Sequence, residues 1–253
     1  PSSPTFSKGG AVSELTRDAY EQFAPFYDAI NGEPDELIRA VFSMIEEHHP
    51  DATSVLELGC GTGTVLAGLG SGYRLTGVDF SPAMLSVASR KVPQATLHHA
   101  DITNLDLGTH FDVVLCALDT MNHLTDIADW SRVFAVAAHH LAPGGLFLFD
   151  VNTVSRFHML DEMVPWVHEF DEHTLVMSLS YEPPLAHWQI CLFEHLSGDN
   201  YRRTDGRITE RAVVLDDIAA LWGDHFSLVA TSDTEGGPAS DDAPRALFAL
   251  RRR

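Results

Sequence analysis

The stretch Val55-Leu-Glu-Leu-Gly59-Cys-Gly61-Thr-Gly63-Thr64 constrains this chain more than any other. A β-branched and leucine-rich run of strand type stops at three glycines placed two apart, and a short apolar segment of helix type, Thr64 to Leu69, follows at once. Strand, bare turn and helix in that order make a nucleotide cradle. A residue without Cβ lets the backbone approach a ligand closely and lets φ turn positive without strain.

Two carboxylates extend the pattern. Asp79 closes the next strand-like run, Tyr73 to Asp79, about 20 residues past the first glycine, where an acid in a doubly wound fold reaches ribose hydroxyls. Asp79-Phe80-Ser81-Pro82 reads as a strand end followed by a helix with Ser81 as its cap and Pro82 as its first residue. Asp101 ends a third run, Thr96 to Asp101, on the same rim, where it would sit beside an adenine ring.

The spacing G-x-G-x-G, preceded by Glu57, is not the G-x-G-x-x-G of nicotinamide dehydrogenases, and a dehydrogenase is disfavoured on that ground. It resembles the first motif of class I S-adenosylmethionine-dependent methyltransferases, and Asp79, Asp101 and Phe111-Asp-Val-Val-Leu-Cys116 resemble that family's later motifs in order. The resemblance runs from about Tyr20 to Asp150 and again weakly to the C-terminus. It implies an α/β fold, a Rossmann-like doubly wound sheet of seven mostly parallel strands, with S-adenosyl-L-methionine as cofactor. The residues it assigns to that cofactor are Glu57, Gly59, Gly61, Gly63, Asp79, Phe80, Met84, Asp101, Ile102 and Ala117. Ala19 to Asp28 resembles the family's N-terminal segment, in which tyrosines fold over the cofactor and carry hydroxyls to its methionine carboxylate. Tyr20 and Tyr27 are the candidates here.

Composition narrows the partners. With 16 Lys and Arg against 36 Asp and Glu, the formal charge is −20, and a nucleic-acid backbone is excluded as partner because phosphate binding needs clustered positive charge. The same acidity suits solubility or a cationic amine acceptor. No run of about 18 apolar residues exists to span a membrane, and the first ten residues carry no apolar signal segment. Cys60, Cys116 and Cys191 are odd in number and far apart, which fits reduced thiols in a cytoplasmic protein. The acids and histidines near the rim show no compact ligand spacing, so no metal is expected.

In chain order, residues 1–12 read as a disordered tail and 13–150 as the cofactor-binding core with N-terminal helices, the first amphipathic and broken near Pro25. A helix from about Ile127 to Leu141 is expected to end on a C-cap glycine in Ala142-Pro-Gly-Gly145. Residues 151–213 change to period-two alternation, as in Trp166 to Phe170, Thr174 to Tyr181 and Trp188 to His195, which predicts an inserted antiparallel β cap. Residues 214–253 supply a last helix and a terminal strand pair. The cap resembles that of small-molecule N-methyltransferases, including amino-sugar dimethyltransferases of antibiotic biosynthesis.

Ligands in open α/β sheets bind where the strand order reverses, beyond the carboxyl ends of the strands. That places the acceptor beside Ala117 to Leu124. His123 is the candidate general base or acceptor-orienting group, with Tyr20 beside it in the catalytic set, and Asp119 is an alternative proton acceptor. Asn122, Trp166, His168, Tyr181, Trp188 and Arg203 are the candidate pocket residues. The expected activity is methyl transfer to a small-molecule acceptor, N-methylation of an amine in a secondary-metabolite pathway, with O-methylation of a hydroxylated or phenolic metabolite as the alternative. A noncatalytic S-adenosylmethionine-binding protein is the competing class. Association into a homo-oligomer is left open.

Overall fold

The computed structural model describes residues 13–163 and 165–253; the expected tail, residues 1–12, lies outside the described residues. The helices are α1 (Glu14–Phe23), α2 (Tyr27–Asn31), α3 (Asp35–His48), α4 (Thr64–Leu69), α5 (Pro82–Lys91), α6 (Ile127–His140), α7 (Val154–Asp161) and α8 (Leu215–Trp222). The strands are β1 (Ser54–Leu58), β2 (Arg74–Asp79), β3 (Thr96–His99), β4 (Phe111–Cys116), β5 (Leu141–Asn152), β6 (Trp166–Phe170), β7 (His173–Glu182), β8 (Leu185–Ser197), β9 (Asn200–Arg211), β10 (Phe226–Asp233) and β11 (Arg245–Arg252). None of the described helices is long and apolar enough to cross a membrane.

Seven strands form the main sheet in the order β10-β11-β5-β4-β1-β2-β3, all running the same way except β11, which is antiparallel to both of its neighbours, β10 and β5. The chain leaves β1 toward β2 and β3, then returns to β4 on its other side, so the order reverses between β1 and β4, where a ligand crevice belongs. Continuous apolar strands are what such a two-sided sheet requires. Leu56, Leu58, Val114, Cys116, Phe147 and Phe149 turn to the face covered by α6 and α8, where Trp130, Phe134 and Trp222 pack. Val55, Val113, Leu115, Leu146 and Leu148, their alternates, turn to the face covered by α3 and α4. Emptying one of the fully buried rings, Phe134 or Trp130, costs about 3–5 kcal/mol.

Four antiparallel strands, β6-β7-β8-β9, form a second sheet, the cap. Its fourth strand, Asn200–Arg211, lies within the expected cap but is too rich in charge to alternate visibly. The core strand β5 also runs to Asn152, and α7 precedes the cap, so cap strands begin only at Trp166. The glycine C-cap expected for α6 is corrected: α6 is closed by Leu141 in extended conformation, and Gly144, at φ +76°, lies within β5 where its pairing with β4 shifts register.

Helix α1 joins the two sheets. Ser13 caps it, its hydroxyl accepting from Thr16 N at 3.2 Å, which stabilises a helix by about 1 kcal/mol. One face puts Ala19 and Phe23 against Leu175, Ile190 and Leu192 of the cap. Gly206 of β9 permits that contact, since a Cβ there would stand 2.4 Å from Phe23 Cε2. Pro25 lies in a short 3-10 turn, Ala24–Phe26, that redirects the chain into α2.

Candidate active site

A cavity lies between α1, the turn after β1 and the ends of β2 and β3. Its floor is the glycine turn. Gly59, Gly61 and Gly63 all have positive φ, at +74°, +51° and +77°. A Cβ on Gly61 would meet no atom of the protein, because that side of the residue faces the cavity. Gly61 N donates to Asp79 Oδ2 at 2.8 Å and Ser81 N to Oδ1 at 2.8 Å, so the carboxylate is fixed by two backbone amides. Burial pushes the Asp79 carboxyl up, and those two bonds pull against it. Ser81 also caps α5, accepting from Met84 N at 3.1 Å.

Glu57 is buried at the cavity wall, and its Oε2 has no hydrogen-bond partner. Burial first, then the Asp79 charge, push its carboxyl well up. Across the cavity, Asp101 accepts from Thr103 N and Oγ1 and meets Arg17 Nη2 at 3.6 Å. The Arg17 guanidinium also lies 5.0 Å over the Phe80 ring.

The N-terminal segment is locked down on the cradle. Asp28 Oδ1 accepts from Thr62 Oγ1 at 2.6 Å and Thr64 Oγ1 at 3.2 Å, while Asp28 Oδ2 pairs with Lys91 Nζ at 2.7 Å. Burial raises the Asp28 carboxyl, but the bonds from Lys91 and Thr62 outweigh it and hold the group below its ordinary range.

At the reversal edge, Tyr20 Oη and His123 Nε2 are 2.7 Å apart, and His123 Nδ1 is buried without a partner. Burial, followed by neighbouring charges, raises both the Tyr20 and Tyr27 hydroxyls, so both stay protonated. Leu118 and Asp119 adopt left-handed φ of 56° and 54°, a conformation that costs a non-glycine residue of order 1–3 kcal/mol. The turn is held by Asp119 N donating to Asp150 Oδ2 at 3.0 Å and by Asn152 Nδ2 donating to Asp119 Oδ2 at 2.9 Å. Arg245 pairs with Asp150 and stands 3.5 Å from Asp119 Oδ1. Beyond this edge a second cavity, open to solvent, shares Tyr27, Thr64 and Leu118 with the first and is lined by Arg39, Arg156 and Arg245 and by the acids Asp28, Glu33, Asp35, Glu36 and Asp119.

Of the residues singled out from sequence, Tyr20, Tyr27, Glu57, Gly59, Gly61, Asp79, Phe80, Met84, Asp101, Ile102 and His123 all line the first cavity. Others stand elsewhere. Gly63 turns toward α5, where a Cβ would lie 3.2 Å from Ala88 and Val92, so it serves close packing. Ala117 is buried just past the end of β4, and Leu118 and Thr120 line the cavity in its place. Asn122 is a buried clamp: its amide donates to Asn152 O and Arg211 O and accepts from Asn152 N, tying core to cap.

The cap residues are corrected most. Trp166 is exposed on the edge strand, Arg203 is exposed and paired with Asp205, and Tyr181 packs on Phe157 and His158. His168 lies 3.3 Å from Ala29 O beside α2. Only Trp188 reaches the edge, donating from Nε1 to Glu210 Oε1 at 2.7 Å. Alternation fixes which residues share a face of the strand, and nothing in it says which face is wetted by a pocket.

Sequence reasoning passed over Arg17, Thr62 and Thr64, although Arg17 stands one helical turn before Tyr20 and the threonines lie inside the glycine motif. Glu210 left no signal. Distant in sequence, Asp119, His123 and Glu210 nevertheless bring ligand atoms within 4.8 Å of one another, so a compact set exists where local spacing showed none.

Residues 55–145 match the profile of a methyltransferase domain. Over 136 residues the chain is 35% identical to dTDP-4-amino-2,3,4,6-tetradeoxy-D-glucose N,N-dimethyltransferase of Saccharopolyspora spinosa, covering 50% of this chain and 53% of that protein. It is 32% identical to dTDP-3-amino-3,6-dideoxy-alpha-D-glucopyranose N,N-dimethyltransferase of Streptomyces fradiae over 43% of each. The chain thus spans about half the length of the curated relatives it matches. Among solved structures, the sugar N-methyltransferase KedS8 of a Streptoalloteichus species superposes with a TM-score of 0.78 at 25% identity, over 100% of this chain and 98% of that one. An S-adenosylmethionine-dependent methyltransferase of Clostridium acetobutylicum superposes with a TM-score of 0.81 at 24% identity, over 92% and 99%. The fold is that of the Rossmann-like S-adenosylmethionine-dependent methyltransferases.

Proposed function

We propose that this chain, which carries a methyltransferase domain at residues 55–145, binds S-adenosyl-L-methionine in the first cavity and methylates the amine of a nucleotide-activated amino sugar at the Leu118–His123 edge. The observation that carries the reading is continuity: one cavity runs from the carboxylate fixed by Gly61 to the Tyr20–His123 pair, with a second cavity adjoining it.

The residues fit that cofactor. Asp79 offers two oxygens for ribose hydroxyls, Phe80, Met84 and Ile102 give apolar walls near Asp101 for a base, and the unpartnered Glu57 Oε2 suits the ammonium of the methionyl end. When bound, S-adenosylmethionine supplies a methyl on a sulfonium: the amine lone pair forms the N–C bond as C–S breaks, the bonding pair stays on sulfur, and neutral S-adenosylhomocysteine leaves. The protein's part is alignment, which can supply about 7–11 kcal/mol of the barrier, and exclusion of water beneath α1. An amine arriving protonated must first lose a proton. With Nε2–H donating to Tyr20 Oη, His123 presents a bare Nδ1 lone pair to receive it.

Arg39 and Arg156 on the second cavity, the latter with Nε unpartnered, suit the anionic half of a nucleotide sugar, while Asp28, Glu33, Asp35 and Glu36 on the same wall confine that half to the two arginines. The three cysteines are free, in keeping with a cytoplasmic setting. Labelled-methyl transfer to a panel of amines, amino-sugar nucleotides and phenols tests the reading. Label on nitrogen is expected; label on phenolic oxygen alone would replace N- with O-methylation, and binding of S-adenosylhomocysteine with no transfer would leave a noncatalytic binder.

A further inference from the structure

We propose that Glu210, with Asp119, forms an anionic seat that takes the acceptor nitrogen as an ammonium and selects amines over hydroxyl acceptors; the inference rests on the methyl-transfer reading above. Glu210 comes from the cap, near the end of β9, and is 4% exposed. Its oxygens are held from two sides. Trp188 Nε1 donates to Oε1 at 2.7 Å from within the cap, and Asn152 Nδ2 donates to Oε2 at 3.2 Å from the end of β5. Because Asn152 Nδ2 also donates to Asp119 Oδ2 at 2.9 Å, one amide clamps the two carboxylates side by side, with a ring nitrogen of His123 in the same cluster.

Beside the part-exposed Asp119, the buried Glu210 carboxyl is pushed up, by burial first and then by the Asp119 charge, so the pair is relieved by holding a proton or by sharing a cation. The guanidinium at hand, Arg245, is engaged by Asp150 and Asp119, while the hydrogen-bond donors to Glu210 are both neutral. Asp119, Asp150 and Glu210 therefore face one arginine. A substrate ammonium supplies the missing charge, and its N–H donors fit the lone pairs that Trp188 and Asn152 leave open, since each carboxylate oxygen has two. His123 points the same way independently, its buried Nδ1 being without a partner.

A hydroxyl acceptor brings a single donor and no charge. Once His123 Nδ1 has taken a proton from the seated ammonium and freed its lone pair, positive charge passes from sulfur to nitrogen during transfer, and carboxylates on the nitrogen side also favour the transition state.

The test measures, by isothermal titration with S-adenosylhomocysteine present at pH 7, binding of a thymidine-diphosphate 4-amino sugar and of its 4-hydroxy isostere. The wild-type protein is compared with Glu210→Gln and Glu210→Asp. The wild type is expected to prefer the amine by about 10- to 100-fold, as a charge-assisted hydrogen bond allows. Glu210→Gln loses that preference with S-adenosylhomocysteine affinity unchanged, and Glu210→Asp retains part of it. A preference that survives in Glu210→Gln, or equal weakening of both sugars, overturns the seat. So does tight binding of Mg2+ or Zn2+ that Glu210→Gln abolishes, which would make the cluster a metal site. A wild-type protein that binds S-adenosylhomocysteine but neither sugar overturns instead the acceptor class proposed above.

Discussion

Replacing Gly59 by alanine would place a methyl carbon 2.4 Å from Thr120 Cγ2 and 2.8 Å from Thr120 Oγ1, on a backbone at φ +74°. Two costs add. A left-handed backbone costs an L-residue about 1–2 kcal/mol, and forcing a methyl into a filled site typically costs about 1–3 kcal/mol. The expected loss is about 2–5 kcal/mol, or roughly 4–20 °C in Tm for a chain of this size. Gly61→Ala supplies the contrast, because its Cβ meets nothing within 4 Å and carries only the backbone cost, about 1–2 kcal/mol. Its methyl enters the cavity instead, so cofactor binding falls while the fold stands. Thermal melting separates the two, and titration with S-adenosylhomocysteine reads the second. The double variant Gly59→Ala, Thr120→Ala removes both close atoms, leaving Thr120 Cβ at 3.2 Å, and recovers the steric part but not the backbone part. The reasoning is refuted if Gly59→Ala and Gly61→Ala melt alike, or if Gly61→Ala binds S-adenosylhomocysteine as the wild type does.

His123→Asn is expected to lower kcat by about 10²-fold, the low end for a general base, with S-adenosylhomocysteine affinity unchanged; near-normal kcat removes His123 from the chemistry. Tyr20→Phe leaves His123 Nε2 as well as Nδ1 without a partner and should lower kcat by roughly tenfold with S-adenosylhomocysteine affinity little changed; an unchanged kcat would contradict the role of the pair. Asp28→Asn breaks the ion pair to Lys91 and leaves an amide oxygen to accept from the threonines. A partly exposed pair is worth about 0–1 kcal/mol, so S-adenosylhomocysteine binding weakens about fivefold at most, and hydrogen exchange at Tyr27–Asn31 speeds up.

The Asp79 carboxyl titrates above its ordinary range, so protonation, which removes its charge, begins at a higher pH than for a free aspartate. Its raised value favours the folded apo protein below the unfolded pKa, and that advantage is lost as pH rises through the folded one. Cofactor binding runs the opposite way and weakens as pH falls toward the carboxylate range, whereas Asp79→Asn shows a flatter profile; parallel profiles would contradict the assignment.

The main sheet was legible because its strands are bounded by residues whose chemistry is local: three glycines, strand-end acids and a Ser81-Pro82 helix start. The cofactor cavity was legible for the same reason, since the glycines, Asp79 and Asp101 each follow a strand in fixed order. The acceptor side was not. It is assembled from Asp119, Asn152, Glu210 and Arg245, which lie in four different segments and meet only after the cap folds back on the core. Glu210 sits in a strand whose neighbours Arg207, Thr209 and Arg211 give no apolar alternation. Asn122 was singled out by position as a pocket residue, yet its amide is used by backbone groups at Asn152 and Arg211, a role that local sequence does not encode.

The most direct test of the central claim is a crystal structure of the complex with S-adenosylhomocysteine. The account predicts ribose hydroxyls on Asp79, the adenine between Phe80 and Ile102 near Asp101, and sulfur facing the edge at Leu118 to His123. A ligand bound outside the first cavity, or a sulfur pointed away from His123 with the edge closed to a second molecule, would contradict it.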